Sequence, residues 1–147
     1  MDIKLENVLV SDVGSLKFCD FGFSTPVNKV VKQRMGTDIY MAPEVHWATE
    51  IPCKPKPADI FSLGVLFFIL AFGAPPFHQT VSSDCFLSFM ALQPGSIEFF
   101  KYHPHTRHLY EAGQIPVSFM NLLVQMLMVD PEHRLADAAD VLALEVF

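Results

Sequence analysis

Asp2, Lys4 and Asn7 put a carboxylate, an ammonium and a side-chain amide within six positions, directly before the apolar run Val8–Val10. A carboxylate can accept a proton from a hydroxyl. An ammonium can neutralise developing phosphate charge, and an amide oxygen can bind a hard cation. A further carboxylate, Asp20, follows the apolar run Leu16–Cys19. Read as an antiparallel hairpin, the two runs set Val8 near Phe18 and Val10 near Leu16. The link SDVGS supplies the turn chemistry. Asn7 and Asp20 then become neighbours although thirteen positions separate them. An amide oxygen beside a carboxylate suits Mg²⁺, which takes few protein ligands and completes its shell with phosphate and water. Any one of these residues alone reads equally well as a polar surface group.

The elements that must hold these groups are mainly helical. APEVHWAT (42–49) predicts a short helix, and IPCKPKP (51–57) a loop punctuated by proline. A longer helix is expected over 58–72, capped by Asp59, and another near 82–92 after Ser82, Ser83 and Asp84. Residues 94–114 read as irregular. Pro116 fits the first turn of a helix reaching about Val129, DPEHR (130–134) is a turn, and 136–146 a final helix. The expected class is mainly α with a small β-hairpin.

At 147 residues and 51% hydrophobic content, the chain suits one packed domain rather than two or a disordered tail. Ten Lys and Arg against sixteen Asp and Glu give a net charge of −6, which argues against nucleic acid and anionic membrane as partners. Cys19, Cys53 and Cys85 form no CxxC pair and read as reduced thiols in a cytoplasmic protein. Ile60–Phe77 carries no charge, but Gly73, Pro75 and Pro76 end its helix after roughly 20 Å, short for a bilayer. A buried core helix is expected.

DIKLEN is followed by DFG at 20–22, GTDIYMAPE at 36–44, DIFSLGV at 59–65 and DPEHR at 130–134. In that order and spacing the sequence resembles the C-terminal lobe of a eukaryotic protein kinase over nearly its whole length. Lys4 within DxKxxN, and the GT before YMAPE, are similar to the serine/threonine branch. SLGVLFFILAFGAPPF is similar to calcium/calmodulin-dependent and AMP-activated-type members.

The resemblance implies that residues 1–147 are a partial kinase domain using ATP and Mg²⁺ to phosphorylate Ser or Thr of a protein substrate. It implies Asp2 as catalytic base, Lys4 as γ-phosphate contact, and Asn7 and Asp20 as metal ligands. Thr37 would pack against Asp2 and Lys4. Phe21 would be a hydrophobic plug beside Gly22. Glu44 and Arg134 would form a buried ion pair, and Asp59 would hold the catalytic-loop backbone. Glu6 reads either as a contact for a basic substrate residue or as a solvated charge.

The sequence also departs from the family. Met1 stands where the family has Arg, the His before it has no counterpart, and no glycine-rich loop, strand lysine or preceding helix is found among these residues. Two expectations follow: the chain alone transfers phosphate very slowly or not at all, and its central helix leaves an apolar strip needing a partner. Gln33 occupies the usual phosphorylation position, so switching there is not expected, and Ser24 and Thr25 read as turn residues. HPHTRH (103–108) reads as a solvated loop rather than a zinc site, Cys19 as a small apolar filler, and FMNLLVQMLMV (119–129) as core helix. The alternative function is an inactive kinase-derived interaction module or a nonfunctional truncated product.

Overall fold

A computed structural model describes residues 2–78 and 84–144. Strands β1 (Val8–Val10) and β2 (Leu16–Phe18) pair antiparallel, Val8 opposite Phe18 and Val10 opposite Leu16, the register expected of a hairpin closed by SDVGS. Cys19 falls just past β2, but its N–H still reaches the Asn7 carbonyl at 2.9 Å. Gly14 closes the turn with φ 79°, a left-handed conformation that glycine adopts without a Cβ clash.

Helices follow: α1 (Pro43–His46), α2 (Pro55–Phe72), α3 (Cys85–Leu92), α4 (Phe99–Tyr102), α5 (Arg107–Glu111), α6 (Val117–Met126) and α7 (Ala138–Ala143). The centre is α2. By length and composition it could cross a membrane, but half of it is buried, and Phe61, Val65 and Phe68 lie at the heart of the core. It starts earlier than expected, with Lys54 at the N-cap and Pro55 and Pro57 in the first turn. Proline lacks the N–H that a first turn leaves unpaired, so the two prolines begin the helix themselves. Asp59 therefore lies inside α2 and does not cap it. Gly73, at φ 72°, ends the helix by donating to the Ile69 carbonyl.

α3 starts at Asp84, whose carboxylate accepts from the Phe86 and Leu87 amides, while Ser82 and Ser83 lie outside the described residues. Residues 94–114 are not irregular throughout, because α4 and α5 occupy them. Each is too short for apolar periodicity to reveal. They fold because Phe99 and Phe100 dock on Phe68 of α2, and buried Thr106 donates to the Phe100 carbonyl at 2.7 Å. The HPHTRH loop is correspondingly only partly solvated. His103 is buried among Phe68, Phe86 and Phe99, while His105 and His108 are exposed. Pro116 is the N-cap of α6 rather than part of its first turn, and α6 ends at Met126, earlier than expected. α7 is shorter than expected, begun by an Asp137–Asp140 capping box; Glu145 and Val146 lie outside the described residues.

Two features lock the helices. At Gly64, α2 meets α6 so closely that a Cβ would stand 2.9 Å from the Met126 Cβ. At Arg134, the fully buried guanidinium uses all five donors. Nε donates to the Met128 carbonyl at 2.8 Å. Nη1 donates to Glu44 Oε1 at 2.6 Å and the Pro57 carbonyl at 2.8 Å. Nη2 donates to Glu44 Oε2 at 3.0 Å and the Val129 carbonyl at 3.2 Å. The Phe61 ring lies 5.0 Å from its Cζ.

Each feature gives an expected outcome. Gly64→Ala raises helix propensity by up to about 1 kcal/mol, yet it lowers stability, because overpacking against a backbone-anchored atom costs roughly 1–3 kcal/mol. Urea denaturation that found it stabilising would contradict the close approach. Glu44→Ala strands a buried guanidinium and costs roughly 3–5 kcal/mol. Arg134→Lys is also strongly destabilising, since an ammonium cannot reproduce the planar fork. An Arg134→Lys midpoint equal to that of the wild type would refute the five-donor account.

Candidate active site

A 3₁₀ turn over Leu5–Asn7 leads straight into β1. It carries the chain from Asp2 and Lys4 to the hairpin. A second such turn, Asp38–Tyr40, follows Thr37 and delivers that residue from the far side. The Thr37 amide donates to Asp2 Oδ1 at 3.0 Å, and its hydroxyl donates to the same oxygen at 2.9 Å. Lys4 Nζ sits 2.9 Å from Asp2 Oδ2 and donates to Thr37 Oγ1 at 3.0 Å. Asp2, Lys4 and Thr37 therefore close a triangle across 35 positions of chain.

Charge within the triangle is well defined. Burial pushes the Asp2 carboxyl up, but Lys4 and the two Thr37 donors outweigh it and leave the group below the usual carboxylate range. Lys4 is held above the ordinary lysine value, first by its hydrogen bond to Asp2, with Asp2, Glu6 and Asp20 adding attraction. The site thus holds an ionised carboxylate and a charged ammonium near neutral pH.

Asn7 is buried, and its Nδ2 donates to the Asp2 carbonyl at 2.9 Å. That bond leaves the amide Oδ1 as the group's remaining acceptor. The Asn7 carbonyl accepts from Cys19, which brings the backbone next to Asp20 alongside it. Asp20 itself is exposed and left-handed at φ 58°, and its Oδ1 accepts from the Gly22 amide at 3.1 Å. A Cβ at position 22 would approach that oxygen to 3.2 Å, so glycine suits the tight turn. An amide oxygen and a carboxylate with open coordination sites are hard donors of the kind Mg²⁺ accepts. Phe21, between these residues, is 70% exposed.

Asp59 lines a space of about 10 Å³, roughly one water, together with Asp2, Thr37 and Ser62. Burial raises its carboxyl above the usual range. Glu44 and Arg134 meet as described. Two further residues join the site without having been singled out from the sequence. The Tyr40 hydroxyl accepts from the Leu5 amide at 3.4 Å, and Ser62 donates to the Tyr40 carbonyl at 2.8 Å. Together they tie the opening loop, the Thr37 turn and α2. Tyr40 stands inside the quoted GTDIYMAPE, and an aromatic hydroxyl in an otherwise apolar stretch was its signal. Ser62 had none.

Known proteins are similar to this chain over most of its length. The family model described as "Protein kinase domain" matches residues 1–147. The chain is 30% identical over 145 residues to serine/threonine-protein kinase PAK mbt of Drosophila melanogaster, covering 97% of this chain and 20% of that protein. It is 35% identical over 136 residues to serine/threonine-protein kinase chk-2 of Caenorhabditis elegans, covering 90% and 26%. It is 38% identical over 138 residues to serine/threonine-protein kinase 36 of Pongo abelii, covering 92% and 9%. The chain spans about a quarter or less of these relatives' own length. With a family model matched from end to end and the Asp2–Lys4–Thr37 triangle formed, this chain belongs to the protein kinase family.

Proposed function

We propose that residues 1–147 form the C-terminal lobe of a kinase domain that phosphorylates Ser or Thr of a protein substrate, and that the groups for phosphoryl transfer are carried here. The observation that supports this most directly is the Asp2–Lys4–Thr37 triangle. Asp2, ionised and fixed by two Thr37 donors, orients the substrate hydroxyl and accepts its proton. Lys4 lies where it can balance charge on the transferred phosphate. Asn7 and Asp20 would hold Mg²⁺, which when bound with ATP neutralises phosphate charge. Thr37 keeps Asp2 and Lys4 in register and favours hydroxyl acceptors on Ser and Thr. Phe21 and Gly22 shape the turn that presents Asp20, while Glu44, Asp59 and Arg134 hold the surrounding segments. The apolar SLGVLFFILAFGAPPF stretch inclines the chain toward the calcium/calmodulin-dependent and AMP-activated-type branch, and three unpaired thiols fit a cytoplasmic setting.

A second reading, a non-catalytic interaction module, draws on one surface. A groove of about 370 Å³ separates the hairpin from α2, lined by Leu5, Val8, Val10, Phe18, Leu63 and Phe67. A partner covering it would bury apolar side chains that otherwise face water.

The test supplies γ-labelled ATP, Mg²⁺ and a Ser/Thr peptide to the full-length domain. Asp2→Asn lowers kcat by roughly 10²–10⁴-fold, in line with loss of a general base, while the melting temperature stays close to wild type. Undiminished labelling by Asp2→Asn would remove the catalytic reading and leave the module. The 147 residues alone label the peptide only at background, since they hold no strand lysine or glycine-rich loop to grip the nucleotide.

A further inference from the structure

His103 is 3% exposed and sits in the seam where three helices meet. Its ring centroid lies 5.0 Å from Phe68 of α2, 4.9 Å from Phe86 of α3 and 5.5 Å from Phe99 of α4. The Pro75 carbonyl favours a ring N–H directed toward it, the one contribution from the backbone that opposes burial. Its Nδ1 is buried and has no partner. Buried in this apolar seam, the ring is neutral. A proton on Nδ1 would stand inside an aromatic wall with no acceptor among the described residues.

The titratable groups bearing on the ring are few. His105, on the turn between α4 and α5, has its ring 5.8 Å away, and His78 is a second neighbouring imidazole. Asp84 is the counter-charge. Its carboxylate is already engaged by the amides of His78 at 2.9 Å, Phe86 at 2.9 Å and Leu87 at 3.1 Å, so it joins the end of the loop to the start of α3. The faces that α2, α3 and α4 turn toward the ring are phenylalanine.

We propose that His103, flanked by His78 and His105, is a proton-operated clasp: acidification expels its ring from the aromatic seam and frees α3 from α2 and α4. Burial, followed by the two neighbouring imidazoles, holds His103 down to about 4, against an ordinary 6.5 once the seam opens. The closed form binds the proton more weakly than the open form. The clasp is at full strength above pH 6.5 and weakens progressively as pH falls toward 4. The neighbouring imidazoles of His78 and His105 disfavour a proton on His103. Opening would uncover Phe86 and Phe99 together, an apolar surface absent at neutral pH.

Hydrogen exchange of the whole chain, read by mass spectrometry at pH 7 and pH 5 and corrected for intrinsic rates, tests this. Amides of 84–93 and 99–106 exchange about twenty-fold faster at pH 5, the ratio set by the two proton affinities, while amides of 37–45 do not. His103→Phe abolishes the acceleration. Equal acceleration in His103→Phe, or acceleration spread evenly over the chain, would overturn the proposal. The double variant His78→Gln/His105→Gln alters only exposed side chains and leaves His103 in place. It shifts the acid transition to lower pH, because two repelling charges are gone; an unmoved transition would remove the cluster from the mechanism.

Discussion

Arg134 is the interaction on which the rest of the structure depends. One guanidinium reaches the end of α6 through Met128 and Val129, the first turn of α2 through Pro57, and α1 through Glu44. A buried ion pair is not stabilising by default, because removing two charges from water costs several kcal/mol per ion. Here every donor is satisfied and both Glu44 oxygens are used, which is the condition under which attraction offsets that cost. Geometry matters as much as charge. The planar fork fixes the relative orientation of three elements, and a flexible ammonium would fix only a distance.

The site inherits this constraint. Asp2 owes its position to Thr37, which lies 35 residues away, and Thr37 stands seven residues before Glu44. Between them, Tyr40 binds the opening loop and is itself held by Ser62 of α2. Anchoring Glu44 therefore reduces the freedom of the segment that fixes Asp2. A second tether acts upstream, where Val31 and Cys53 exchange backbone hydrogen bonds of 2.8 and 3.0 Å. Burial there pushes the Cys53 thiol up to about 11, so it is inert packing rather than a nucleophile.

Much of this was legible in the residues, for identifiable reasons. The hairpin register followed from pairing the two runs end to end across the SDVGS turn, and the placement of Asn7 near Asp20 followed from the register. The core helix was visible as an uncharged run ended by Gly73. Its start was misjudged because Asp59 is a good cap by type, whereas Pro55 and Pro57 are better first-turn residues by geometry. α4 and α5 were invisible because four or five residues carry no period; long-range docking of Phe99 and Phe100 makes them helical. Of the HPHTRH histidines only His103 was misjudged, since the polarity of a hexapeptide says nothing about which member faces Phe68. The partners of Arg134 besides Glu44 are backbone carbonyls, which no side-chain pattern can announce.

The two halves of the site are built by different physics. Asp20 is oriented locally: its own left-handed backbone, the bond from the Gly22 amide and the absence of a Cβ at position 22 set the carboxylate without help from the core. Aspartate tolerates that conformation better than most residues, because its short side chain can bond the nearby backbone. Asp2 is oriented globally, through Thr37 and the Arg134-anchored segment. Asn7 joins the two, with its side chain donating to Asp2 and its carbonyl accepting from Cys19 beside Asp20. Loosening the helical core would therefore displace Asp2 first, while the Asp20 turn kept its shape. The distance between the Asp2 and Asp20 carboxylates is then a property of the whole fold, transmitted through one buried amide.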